Sequence, residues 1–72
     1  MKLTWSRTST GNWNGKMGWR TCYVVAFHVG DSWWVHSKMP GDKSAIVASV
    51  EEGIKVAGDM FRTFLREADG AT

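Results

Sequence analysis

The 72-residue chain has one cysteine, one proline, one tyrosine and two histidines. Its single cysteine, Cys22, excludes an internal disulfide, and a lone thiol fits a reducing cytosol. No apolar run approaches the ~18 residues that a membrane span needs, so no membrane association is expected. The opening Met1-Lys2-Leu3-Thr4-Trp5 has no apolar core of the kind a secretory signal carries, so none is expected. Repeats, low-complexity tracts and Pro- or Ser-rich linkers are missing too, which leaves one domain over residues 1–72. With 43 % hydrophobic and 22 % charged residues, the chain is globular material rather than disordered.

Tryptophan is what the chain has in surplus. A domain this short buries only about 60 % of its unfolded surface, and small domains answer with disulfides, metals, oligomerisation or bulky core residues. Trp5, Trp13, Trp19, Trp33 and Trp34, with three phenylalanines and one tyrosine, point to the last of these. Charge is also uneven, although the overall net charge is only +2. Residues 1–43 hold Lys2, Arg7, Lys16, Arg20, Lys38 and Lys43 against Asp31 and Asp42, a net +4. Residues 44–72 hold Lys55, Arg62 and Arg66 against Glu51, Glu52, Asp59, Glu67 and Asp69, a net −2. A basic front half suits an anionic partner.

The last third predicts a helix over 49–69. Ser49-Val50-Glu51-Glu52 has the form of a capping box, with Ser49 as N-cap, and Gly70 supplies the stop. Val50, Ile54, Ala57, Phe61, Phe64, Leu65 and Ala68 form one apolar stripe, and Glu51–Lys55 is an i,i+4 pair on the other side. Gly53 beside the stripe permits close approach to a sheet. Upstream, Leu3–Arg7, Thr21–Val29 and Ser32–Met39 read as strands, with Pro40-Gly41 ending the last. Between the first two lies a glycine-rich connection with room for a short strand around Trp13. The expected fold is therefore α+β: a three-stranded antiparallel β-meander (residues 1–41) with one C-terminal helix on one face, β-β-β-α.

A two-residue turn at Gly30-Asp31 then divides the sheet's faces. One carries Cys22, Val24, Ala26, His28, Trp33, Val35, Ser37 and Met39, and suits the helix. The other carries Tyr23, Val25, Phe27, Trp34, His36 and Lys38, and suits a partner. The division is conditional, because a loop one residue longer shifts the pairing.

Catalysis finds little support. Cys22 and His28 stand six residues apart on one strand, about 20 Å, which excludes a nucleophilic pair. His36 falls on the other face, and clustered ligands for zinc are missing. The carboxylates sit mostly on the helix's solvent side. The chain therefore reads as a non-enzyme with no cofactor and no metal. The expected binding residues are Lys16, Trp19, Arg20, Tyr23, Phe27, Trp34, His36 and Lys38, stacking surfaces interleaved with positive charge. Trp, Tyr and Arg also dominate protein interfaces, and moderate charge with abundant Trp favours a protein partner over free nucleic acid.

The pattern Trp5 … Trp13 … Trp19-Arg20 … Tyr23-Val24-Val25 … Gly30-Asp31-Ser32-Trp33 … Gly41 … Ser49-Val50-Glu51-Glu52-Gly53 … Ala57 … Phe61 resembles small β-sheet-plus-helix proteins encoded by bacteriophages and prophages. Those proteins include anti-CRISPR-type inhibitors of host defence. The resemblance implies a phage or mobile-element protein in the cytoplasm of a bacterial host. It would act on a host protein or ribonucleoprotein complex, as a monomer or weak homodimer. The β-β-β-α order and Ser49-Val50-Glu51-Glu52-Gly53 are also similar to ethylene-response-type and integrase arm-type DNA-binding domains, which implies contact with DNA through the sheet. Those domains carry arginine-dense strands, whereas only Arg7 and Arg20 precede the hairpin here. The DNA-binding reading therefore stands second.

Overall fold

The computed structural model describes residues 2–41 and 43–70. Five strands precede the helix: β1 (Thr4–Arg7), β2 (Trp13–Met17), β3 (Arg20–Phe27), β4 (Trp33–Ser37), β5 (Ser44–Val47) and then α1 (Val50–Gly70). All neighbours pair antiparallel in the order β1-β2-β3-β4-β5, a single meander. The α+β class stands, and the three-stranded meander is corrected to five strands. No helix among the described residues is long and apolar enough to cross a membrane.

Both additional strands owe their existence to neighbours rather than to their own propensity. β2 reads Trp-Asn-Gly-Lys-Met, poor strand material by composition. Its Gly15 lies beneath the indole of Trp5, so near that a Cβ there would stand 2.8 Å from the ring. The glycine is thus a packing requirement between β1 and β2, although in sequence it looks like a breaker. β5 is only four residues, and it lies past the Pro40-Gly41 turn that folds it back onto β4. The sheet therefore extends beyond residue 41, to Val47.

The register differs from the expected one by a single residue. His28 N–H donates to the Ser32 carbonyl (3.0 Å) and Ser32 N–H to the Val29 carbonyl (3.1 Å), closing a three-residue loop over Val29, Gly30 and Asp31. Gly30 takes φ +59, a left-handed conformation that side chains resist. Phe27 consequently pairs with Trp33, Val25 with Val35 and Tyr23 with Ser37. The allocation of β3 is inverted: Tyr23 and Val25 are 1 % and 0 % exposed and lie in the core, where the two-residue turn had placed them on the open face. Cys22 is buried as well, because a bulge opposite Gly15 and Lys16 breaks the alternation and lets two successive side chains point inward.

Across this face lies α1. Ser49 Oγ accepts from Glu52 N–H (3.1 Å) and Glu52 Oε2 from Ala48 N–H (3.2 Å), a reciprocal cap. The buried line runs Gly53, Ala57, Phe61, flanked by Val56, Met60, Phe64 and Leu65, so the stripe includes Val56 and Met60 and leaves Ala68 exposed. At Gly53 a Cβ would meet Val25 Cγ1 at 2.8 Å, so the helix seats directly on the centre of the sheet. Phe61 meets Tyr23 edge-on, with ring centroids 6.1 Å apart. On the solvent side Lys55 pairs with Asp59 (3.7 Å) rather than with Glu51, and Arg62 pairs with the same carboxylate. The helix packs chiefly over β3, β4 and β5. Trp5 and Trp13 pack against the core from β1 and β2, and Trp33 packs against it from β4. Three of the five tryptophans thus complete a core that one helix is too narrow to roof.

Candidate binding surface

Ladder parity decides which side chains the helix leaves uncovered. Opposite residues in a ladder share a face, so Thr4, Ser6, Asn14, Lys16, Val24, Ala26, Trp34, His36, Ser44 and Ile46 all lie on the open side. Its centre is apolar: Ala26 pairs with Trp34, which pairs with Ile46. Trp34 is 39 % and Ile46 56 % exposed. Along β4 the Trp34 and His36 rings stack with centroids 4.8 Å apart and planes at 36°. His36 Nδ1 is buried and makes no hydrogen bond among the described residues, so the ring is held by packing.

The meander also sorts charge by its ends. Starts of β1, β3 and β5 share one end with the finishes of β2 and β4, and this end gathers Lys2, Lys16, Arg20, Lys38 and Lys43. Lys38 N–H donates to the Cys22 carbonyl (2.8 Å) and Ser37 N–H to the Lys43 carbonyl (2.9 Å), which ties the last two cations to the sheet. Between β2 and β3, at the same end, Trp19 protrudes with 91 % of its surface in solvent, next to exposed Arg20. Glu67 of α1 shares a small cleft with Lys43, Pro40 and Met39. No strand contains a carboxylate, whereas α1 carries Glu51, Glu52, Asp59, Glu67 and Asp69. The uneven charge of the sequence thus becomes a spatial polarity, with an acidic helix backing a neutral-to-basic sheet.

No family model, curated protein or solved structure matches this chain.

Of the residues expected to bind, Lys16, Trp34 and His36 share the open face, and Lys38 follows them past the end of β4. Trp19 and Arg20 form the adjoining turn. Tyr23 is corrected to a core residue. Burial pushes its hydroxyl above the usual tyrosine range. Phe27 is also on the helix side, but at the rim, where it stays 59 % exposed and meets Trp33 edge-on at 5.7 Å. Sequence reasoning missed Lys2, Lys43 and Ile46. The two lysines are recognisable only once five strands are counted, and Ile46 only once β5 exists.

Proposed function

We propose that this protein is a non-catalytic binding domain that docks on an acidic surface of a host protein or ribonucleoprotein complex. It would do so in the bacterial cytoplasm, as the phage-encoded inhibitors it resembles do. The observation that carries this reading is Trp19, 91 % exposed on the β2–β3 turn, at the end of the sheet that also carries Lys2, Lys16, Arg20, Lys38 and Lys43. A fully solvated indole costs solubility and contributes nothing to the core, while at an interface it is the side chain that most often dominates affinity. The cations steer an acidic partner toward it, and the apolar centre at Trp34 extends the contact.

The test is capture of a partner from host lysate by the folded protein and by Trp19→Ala. The reading expects wild type to retain a defined complex and Trp19→Ala to lose it while keeping the native circular dichroism spectrum. A parallel titration with duplex DNA at low and high salt addresses the DNA reading. Salt-sensitive DNA binding that disappears in Lys16→Ala/Arg20→Ala/Lys38→Ala, with no protein retained, replaces the proposed function with DNA binding.

A further inference from the structure

A meander sheet has two edges, and here they are built differently. The β1 edge is flanked by charge, with Lys2 before the strand and Arg7 at its end, the usual protection against edge-to-edge pairing. The β5 edge, Ser-Ala-Ile-Val, has Lys43 just before it but neither charge nor proline within it. Its backbone state follows from one hydrogen bond. Ser37 N–H donates to the Lys43 carbonyl, and bonded pairs alternate along an antiparallel ladder. Val35–Ala45 and Trp33–Val47 are therefore the bonded pairs, and Ser44 and Ile46 turn their N–H and C=O groups away from the sheet. The next outward donor, Ala48 N–H, is taken by Glu52 Oε2, so the exposed row stops there. Among the described residues nothing else bonds the outward groups of Ser44 and Ile46.

We infer that a second copy of this chain pairs with β5 about a two-fold axis through Ala45, making a continuous ten-stranded sheet. The edge is complementary to itself. Antiparallel pairing sets Ser44 of each copy opposite Ile46 of the other, so all four outward groups of each strand segment gain partners. On the open face, the two Ile46 side chains come within diagonal reach of each other. The apolar row Ala26–Trp34–Ile46 of one copy then meets that of the other diagonally, through the two Ile46 side chains. Charge agrees: Lys43 of each copy stands opposite Val47 of the other, beside the helix start where Glu51 and Glu52 lie. The helices do not obstruct. Each α1 packs over β3, β4 and β5, and the two β4 strands would be three strand spacings apart, about 14 Å, more than packed helices need. This assembly does not depend on the proposed function, since Trp19 lies on the β2–β3 turn, two strands away from the paired edge.

Sedimentation equilibrium of the intact protein from micromolar to millimolar concentration tests the pairing. The expected result is a rise from the mass of one chain to that of two. Lys43→Glu should weaken the dimer about tenfold, since reversal acts at two symmetric contacts, and Lys43→Glu/Glu51→Lys should restore it. Under mild oxidation Ala45→Cys, on the axis, should link two chains much faster than Ser6→Cys on the opposite edge strand, and buried Cys22 stays out of the reaction. Trp19→Ala should dimerise as wild type does. A single-chain mass at millimolar concentration overturns the inference. So does a dimer indifferent to Lys43→Glu whose Ala45→Cys form links no faster than Ser6→Cys.

Discussion

On the covered side of the sheet, Tyr23, Val25 and Val35 lie beneath the helix and are at most 1 % exposed. On the other side, Trp34, one residue along β4 from Val35, and Ile46 of β5 are 39 % and 56 % exposed. Hydrophobicity does not separate these two sets, and neither does strand propensity. Parity separates them, together with a single helix too narrow to cover more than one face. The lesson for a chain this small is that apolar residues beyond the capacity of its one core become surface, and the surface they form is where a partner gains most.

The largest expected contrast is between Phe61 and Ile46. Phe61→Ala removes a 3 %-exposed ring from against Tyr23 and should cost about 3–5 kcal/mol, a large part of a small domain's stability. Ile46→Thr, on the open edge, should stay within about 0.5 kcal/mol. Urea unfolding of both variants measures the gap, and equal losses would mean that the open face is covered in solution.

The two helix glycines sharpen the comparison on one element. A Cβ on Gly53 meets Val25 at 2.8 Å, so Gly53→Val should destabilise by about 1–3 kcal/mol. At Gly58 the nearest neighbour is Arg62 Nη1 at 3.7 Å, an ordinary contact, so Gly58→Ala should stabilise by up to about 1 kcal/mol. Thermal unfolding should move in opposite directions for the two.

Alkaline pH should also distinguish the faces, through the only tyrosine. Burial holds the Tyr23 hydroxyl above its unfolded value of 10.0, so the folded state binds the proton more tightly than the unfolded chain. Stability is unaffected by this group below pH 10.0 and falls as pH rises past that value toward the folded pKa. Tyr23→Phe should remove this alkaline loss. Absorbance titration of the phenolate reports the same group directly, without interference from a second tyrosine. The smallest effect belongs to Trp19→Ala, within about 0.5 kcal/mol on stability, because that ring touches so little of the fold.

Those outcomes bear on what was legible in the sequence. The helix was, because Ser49 and Glu52 announce its start locally and its apolar residues repeat at helical spacing. Gly53 was readable as a contact point for the same reason. Of the further strands, β2 was legible only as room for a short strand around Trp13, and β5 not at all: one contains glycine and asparagine, the other only four residues, and both form because a neighbour supplies the ladder and the packing. Trp34 and His36 lie on the open face where they were expected, because with the longer loop β4 keeps its side and β3 changes its own. Tyr23 and Phe27 were misplaced because their face depends on whether the β3–β4 loop holds two residues or three. Local turn residues permit either, and only the closing bonds between His28, Ser32 and Val29 decide.

By itself, then, the sequence determined the capped amphipathic helix, the approximate turn positions and the separation of basic front from acidic rear. These are properties of residues and of spacings within a few positions of each other. Tertiary structure decided the strand count, the register, and hence which aromatic rings are core and which are surface. Each of those depends on contacts between residues distant in the chain, and in a sheet a shift of one position exchanges the faces of a whole strand.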